Sequence, residues 1–406
     1  MMAKHILEKL AETNPECEIW WDSSPLVYGT WRKKLLASAP EAKRAEWEAQ
    51  LNRLFDPQTV AQTGEMGFRG VTTNPPLCLQ ALQDDPAFWA GRIAEVAAQM
   101  RNPTVEAVYW AVYLEVVRLG AEQIRAVWER SGGKYGYVSG QTDPRFVTDF
   151  DKMLTQGLEL ARLGPNVMVK IPGSKEGYDV IEELTARGIS TNNTTSFTVP
   201  QYLACMSAVS RGLDRARAAG VDLGKWRSVI THMSARLGNI GDLKAEAELR
   251  GLSFTNEEIT LGEMAVLKRA YRYGKANNHP SKMLQCSMRV TDEGGSASSL
   301  HIAAIAGSDM VYTCPPGYIA QLMAAEDRLP EFDAKAIDRD APAELIERLR
   351  RIPYFRKAYD FDGMQPKEFV SFGAFAATAT EFAAATRKTV DFVARVLEDM
   401  RADNAA

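Results

Sequence analysis

Lys170 stands inside the run Val167-Met168-Val169-Lys170-Ile171, an apolar segment of the kind seen in parallel strands buried on both faces. Pro172 cannot donate to a sheet ladder and Gly173 begins a turn, so the strand stops there. Helical spacing of Val180, Ile181 and Leu184, closed by Gly188, gives a helix next. The stretch Ile189–Phe197 then carries Ser190, Thr191, Asn192, Asn193, Thr194, Thr195 and Ser196 where the second strand of the unit belongs. Alternate residues of a strand share a face, so Asn192 and Thr194 point the same way, towards something polar. A desolvated lysine has a lowered pKa and becomes an amine nucleophile able to form a Schiff base with a carbonyl. A lysine at a strand end can equally bend into water and keep its charge. Spacing alone leaves both readings open.

The elements around this unit alternate. Strands are expected at Glu18–Asp22, Gly67–Asn74, Tyr135–Ser139, Val167–Ile171, Ile189–Phe197, Ser228–Met233, Met283–Met288 and Asp309–Thr313. Helices are expected at Asp85–Met100, Pro103–Arg130, Arg145–Leu163, Pro200–Ala219, Glu257–Asn278 and Ser296–Ala306, with a charged helical insertion across Trp31–Phe55. Further helices near Pro342–Arg351 and Thr378–Arg401 form the tail, the last packing across the body. Eight strands alternating with helices make a (β/α)8 barrel, an α/β TIM barrel with extra N- and C-terminal helices, the natural architecture. The competitor, a doubly wound open sheet, lacks a G-x-G-x-x-G after an early strand. With no evident linker or repeat, residues 1–406 read as a single domain.

In such a barrel the working site lies at the C-terminal rim. The polar residues at those strand ends are Asp22, Thr73, Asn74, Gln141, Lys170, Asn192, Thr194, Thr231, Arg236, Ser287 and Arg289. Together they are the components of imine chemistry: an amine, a carboxylate for proton transfer, amides and hydroxyls for a polyol, and two guanidiniums whose planar forks suit phosphate. Taken singly, each has an ordinary role: Asp22 in a turn, Asn74 as an N-cap, each arginine in a surface ion pair. Their convergence on one rim is what favours a site. The four histidines show no metal-ligand spacing, and neither a metal nor another cofactor is expected. His232, the one histidine near the rim, reads as packed in preference to proton-donating.

The 406 residues, 46% hydrophobic and 25% charged, are those of an ordinary globular chain. A net charge of −4 gives no pull towards nucleic acid. Five scattered cysteines without a C-x-x-C pair fit a reducing compartment. No signal core and no bilayer-length apolar run is present, so a cytoplasmic location away from membranes is expected. Homo-oligomerisation is left open.

E-I-W-W-D ending at Asp22, G-V-T-T-N-P-P (Gly70–Pro76), Y-V-S-G-Q-T-D-P-R (Tyr137–Arg145), V-M-V-K-I-P-G-S-K-E-G (Val167–Gly177) and G-I-S-T-N-N-T (Gly188–Thr194) form one ordered set. Over most of its length the chain resembles a transaldolase of the longer bacterial type. The resemblance implies a class I enzyme on a (β/α)8 barrel, its substrates a sugar phosphate and an aldehyde acceptor. By position it makes Lys170 the Schiff-base lysine, Asp22 the acid/base, and Thr194 the holder of the water used in imine formation. It makes Asn74 and Asn192 the partners of the dihydroxyacetone unit, and Arg236, Ser287 and Arg289 the phosphate ligands. Thr231 stands where that family usually has a serine.

The sequence departs from that pattern at Gln141, where the family's V-S-x-E has a glutamate that activates water. An amide can orient water but cannot take its proton. Fructose-6-phosphate aldolases resemble a glutamine variant here, so the departure points towards reversible aldol cleavage or an unusual acceptor, with a weakened, sugar-phosphate-binding member as a further alternative. The segment Thr291–Ser299 replaces the family's usual continuation; its Gly-Ser loop could cradle phosphate, but Asp292 and Glu293 oppose an anion.

Overall fold

The computed structural model describes residues 3–293 and 296–405. Eight parallel strands close on themselves: β1 (Glu18–Asp22), β2 (Gly70–Thr72), β3 (Tyr137–Gln141), β4 (Val167–Pro172), β5 (Thr191–Thr194), β6 (Ser228–Met233), β7 (Lys282–Cys286) and β8 (Val311–Cys314). Each pairs with its sequence neighbours, and β1 pairs with both β2 and β8, which seals the barrel. This is the (β/α)8 barrel expected from the alternation.

Register and the two-residue period fix which side chains face inward. Asp22 lies beside Thr72, Thr72 beside Ser139, Gln141 beside Lys170, and Lys170 beside Asn192. One layer lower Trp20 lies beside Gly70. A Cβ on Gly70 would come within 2.5 Å of the Trp20 ring, so glycine there lets the indole fill the barrel floor. Polar residues thus occupy the C-terminal layer of the barrel, above a floor of Trp20, Met168, Val229 and Leu284.

The chain leaves β4 as its composition requires. Pro172 is its last residue, Ser174 caps the helix Lys175–Ala186 by accepting the Gly177 N–H at 2.9 Å, and the helix buries Val180, Ile181 and Leu184. A Cβ on Gly177 would lie 2.0 Å from the Pro172 carbonyl oxygen, so the first turn seats directly on the strand that carries Lys170.

Four sequence expectations need correction. Between the strand ending at Asn74 and the helix expected from Asp85, where no element was expected, Pro75-Pro76 opens a helix, Pro75–Asp84, because proline is tolerated in a first helical turn. The charged insertion is two helices, Tyr28–Ser38 and Glu41–Leu54, broken at Pro40. The long stretch to Arg130 splits at Ile124 into Val105–Gln123 and Arg125–Arg130. Most of Ser296–Ala306 is not helical: Thr291–Glu293 and Ser296–Ser298 pair antiparallel, and only Leu300–Ala303 forms a turn of helix. Serine and threonine are weak helix formers, and Gly-Gly between short runs is a hairpin signal that outweighs them. Gly294 and Gly295, the centre of the loop considered for phosphate, lie outside the described residues.

Among the described residues no helix is long and apolar enough to cross a membrane. The last helix, Gly373–Ala405, runs across the barrel's flank against the helices Pro75–Asp84, Pro86–Ala98 and Val105–Gln123. It brings Glu381 back to the rim.

Candidate active site

Lys170 is 4% exposed and points into the barrel. Its Nζ makes one hydrogen bond among the described residues, to the Thr73 carbonyl at 3.0 Å. An ammonium has three donors to satisfy, and a buried charge with two of them unmet is strongly disfavoured. Burial accordingly holds the Lys170 amine below the usual lysine range, opposed by the Asp22 carboxylate and, more weakly, by Cys286 and Cys78. Asp22 shows the mirror image. Burial raises its carboxyl, against the pull of Lys170, the Thr72 hydroxyl and Arg236. The two shifts favour a neutral amine beside a carboxyl able to carry a proton. Both neighbouring thiols stay protonated, Cys78 and Cys286 each pushed up to about 12 by burial.

Asp22 is held by Thr72, whose Oγ1 donates to it at 2.6 Å and also meets Thr313 Oγ1 of β8. Gln141 is fixed through its backbone: the Tyr113 hydroxyl accepts from its N–H at 3.0 Å and donates to its carbonyl at 2.7 Å. Its side-chain Oε1 and the Thr194 Oγ1 are buried and have no partner among the described residues. In the strand register Gln141 lies beside Lys170, and Thr194 lies beside Pro172, two residues further along β4 and β5. Two orphaned acceptors beside a buried amine leave places for a water or a substrate hydroxyl. Asn192 is held from both sides, donating to Ser139 Oγ at 2.9 Å and accepting from Thr231 Oγ1 at 2.7 Å. Those two bonds use half of what its carboxamide can make. Asn74 Oδ1 accepts the Leu77 N–H at 3.0 Å as a helix N-cap, so its NH2 end is what remains to offer a substrate.

The residues expected to hold an anion are arranged less simply. Arg236, on the short helix Ser234–Asn239, forks onto Glu381 of the last helix at 2.6 and 3.1 Å and touches Thr378 Oγ1 at 3.3 Å. Arg289 meets the fully buried Glu263 at 3.3 Å. Glu263 is bonded in addition to His301 Nε2 at 2.9 Å and to the Gly238 N–H at 3.0 Å. Ser287 is half-buried with φ +58°. Thr195, at the end of β5, has φ +51°. Left-handed backbone at residues other than glycine carries strain and gathers at functional rims.

His232 does not enter the site. It follows the inward Thr231, so its ring turns outward against Tyr202, with ring centroids 5.6 Å apart, and burial lowers it to about 3. Sequence reasoning missed Thr72, Tyr113, Ser139, Thr313, Glu263 and Glu381. Period two from Asn74 and Gln141 reaches Thr72 and Ser139, whereas the others arrive from distant segments. Among the described residues no group of three His, Cys, Asp or Glu side chains converges as a metal site would.

The family model of transaldolase/fructose-6-phosphate aldolase matches residues 55–360, about three quarters of the chain. Asp22 and Glu381 fall outside that stretch. A transaldolase of Thiobacillus denitrificans is 29% identical over 323 residues, 74% of this chain and 86% of that protein. Transaldolases of Mycolicibacterium paratuberculosis and of Mycobacterium tuberculosis (strain H37Rv) are each 38% identical over 192 residues, 45% of this chain. The match spans about half the length of these mycobacterial relatives, 50% in each case.

Proposed function

The chain belongs to the transaldolase/fructose-6-phosphate aldolase family, and from that premise we propose that it transfers a dihydroxyacetone unit from a ketose phosphate to an aldehyde through an imine on Lys170. The observation that carries this reading is the burial of the Lys170 amine with a single hydrogen bond, in the field of a carboxyl whose own pKa is raised. The Lys170 Nζ attacks the ketose C2 carbonyl, and loss of water gives the imine. Asp22 takes the proton of the C4 hydroxyl as the C3–C4 bond breaks, the electron pair passes into the enamine, and the C4 fragment leaves as an aldehyde. The enamine carbon then adds to the acceptor aldehyde, the new alkoxide is protonated, and hydrolysis frees the lysine. Gln141 Oε1 and Thr194 Oγ1 position the water lost and regained. Asn192 and Asn74 hold the dihydroxyacetone hydroxyls, Thr231 supports Asn192, and Arg236, Ser287 and Arg289 take the phosphate.

Borohydride added with fructose 6-phosphate is expected to leave a covalent adduct on Lys170, read by mass spectrometry of the peptide. An unmodified Lys170 under conditions where the donor is shown to bind rules the mechanism out.

Gln141 favours a second reading on the same intermediate. With no carboxylate at that position to deprotonate water, the chain acts as an aldolase releasing or adding free dihydroxyacetone. Product analysis with and without an acceptor separates the two, since strict acceptor dependence eliminates the aldolase.

A further inference from the structure

Both arginines assigned to the phosphate are already paired with carboxylates of this chain, and the two pairs differ in kind. Glu263 is fully buried and bonded from three directions, by Arg289, His301 and the Gly238 N–H. It cannot turn away without stranding a buried charge, so it acts as a fixed support that aims the 34% exposed Arg289. Glu381 is different. Its side chain is 53% exposed, its contact is with the Arg236 fork, and water is available to it the moment it lets go. An ion pair so exposed is weak and exchanges easily. A phosphate oxyanion recognises the same planar fork.

We propose that Glu381 is an internal competitor for the anion subsite, displaced from Arg236 when a phosphorylated donor binds, so that the last helix sets the preference between phosphorylated and unphosphorylated donors. The inference rests on the reading of Arg236 as a phosphate ligand. The Arg236 guanidinium stacks over Phe382 at 5.6 Å and touches Thr378, which is fully buried. Those two contacts keep the guanidinium in place when the carboxylate leaves. Should phosphate approach by the other edge of the fork, the adjacent carboxylate still repels it, and the direction of the effect is unchanged.

The test is direct binding of inorganic phosphate by calorimetry, which needs no turnover, in the full chain and in Glu381→Gln, Arg236→Ala and the double variant. Glu381→Gln is expected to tighten phosphate binding about two- to fivefold, the range for removing a competing exposed charge. It is also expected to raise the ratio of kcat/KM for fructose 6-phosphate over that for free fructose by a similar factor. In the Arg236→Ala background the second substitution should have no effect. If Glu381→Gln changes neither quantity while Arg236→Ala weakens phosphate, the competitor role is overturned and the anion subsite stands. If Arg236→Ala leaves phosphate binding unaltered, Arg236 is no phosphate ligand, and both the subsite and the competitor fall. A Lys170 that resists borohydride trapping while Glu381→Gln still tightens phosphate overturns the imine and leaves the competitor supported.

Discussion

The Lys170 amine is destabilising as well as useful, and the two properties can be measured against each other. Its pKa is lowered by burial, so between that value and about 10.4 the unfolded chain binds a proton that the folded chain does not. Stability contributed by this group therefore rises with pH across that window. Lys170→Met fills the same space without the penalty. Its thermal midpoint at pH 7 is expected to exceed the native one, by about 1–2 kcal/mol in stability, with the gain shrinking as pH approaches 10. Turnover and borohydride trapping should vanish together. A Lys170→Met chain less stable than the native one at pH 7 would show that the amine is held charged by its neighbours. Gln141→Glu is the complementary substitution. It places a carboxylate beside Lys170, where a base can act on water, and is expected to raise transfer relative to aldol cleavage; an unchanged product ratio counts against the water-positioning role. The amine and its carboxylate were legible because a polar residue ending an apolar strand is conspicuous at short range. Thr313 was not, since it meets Thr72 across 241 residues of sequence, and nothing local marks it. Glu381 was hidden for the same reason: on an exposed helix face a glutamate is ordinary until its partner is known.

Elements position these residues, and the junction of β4 with its following helix is the most constrained of them. In an exposed helix interior, replacing glycine by alanine stabilises by about 1 kcal/mol. At Gly177 the added Cβ would lie 2.0 Å from a backbone oxygen, which cannot rotate away. Gly177→Ala is therefore expected to destabilise by about 1–3 kcal/mol and to lower kcat, because relief of the clash moves the end of β4. Denaturant unfolding and steady-state kinetics check both effects, and a stability gain would refute the close approach. The barrel itself was readable from periodicity: four of the eight barrel strands are shorter in the structure than expected, yet each overlaps the stretch where the sequence placed it. What sequence could not supply was the behaviour of its Gly-, Pro- and Ser-rich punctuation. Pro75-Pro76 starts a helix instead of merely ending a strand, and Thr291–Glu293 pairs antiparallel with Ser296–Ser298 where a helix start was expected. Such residues mark boundaries, but which element follows depends on what the next turn packs against.

At the scale of the whole barrel, the two ends divide the work, with chemistry above and cohesion below. Glu18 begins β1 at the end opposite Lys170 and is 2% exposed. Its carboxylate meets Arg227 and Lys282, the latter at 2.6 Å, and accepts from Trp20 Nε1 at 3.0 Å. A cleft of about 470 Å³ opens beneath it. Burial alone would raise this carboxyl, but Arg227 and Lys282 together hold it below the usual carboxylate range. A depressed folded pKa means stability that is present above about 4.3, the unfolded value, and lost as pH falls through the folded one. Glu18→Gln removes the charge while keeping the shape, leaving two cations facing each other at the floor of the barrel. Breaking such a pair by deleting one partner costs about 3–5 kcal/mol where burial is complete; Arg227 and Lys282 retain some exposure, 15% and 17%, which places the expected loss near the lower figure. Because Trp20 stands between this cluster and the Lys170 layer, imine trapping should persist in the variant below its lowered melting temperature. Urea unfolding at pH 7 and at pH 4 decides the matter: the native chain is expected to lose stability on acidification more steeply than Glu18→Gln, so the gap between them narrows at the lower pH. A gap that stays constant would mean the carboxylate's charge contributes nothing and that the loss comes from packing alone.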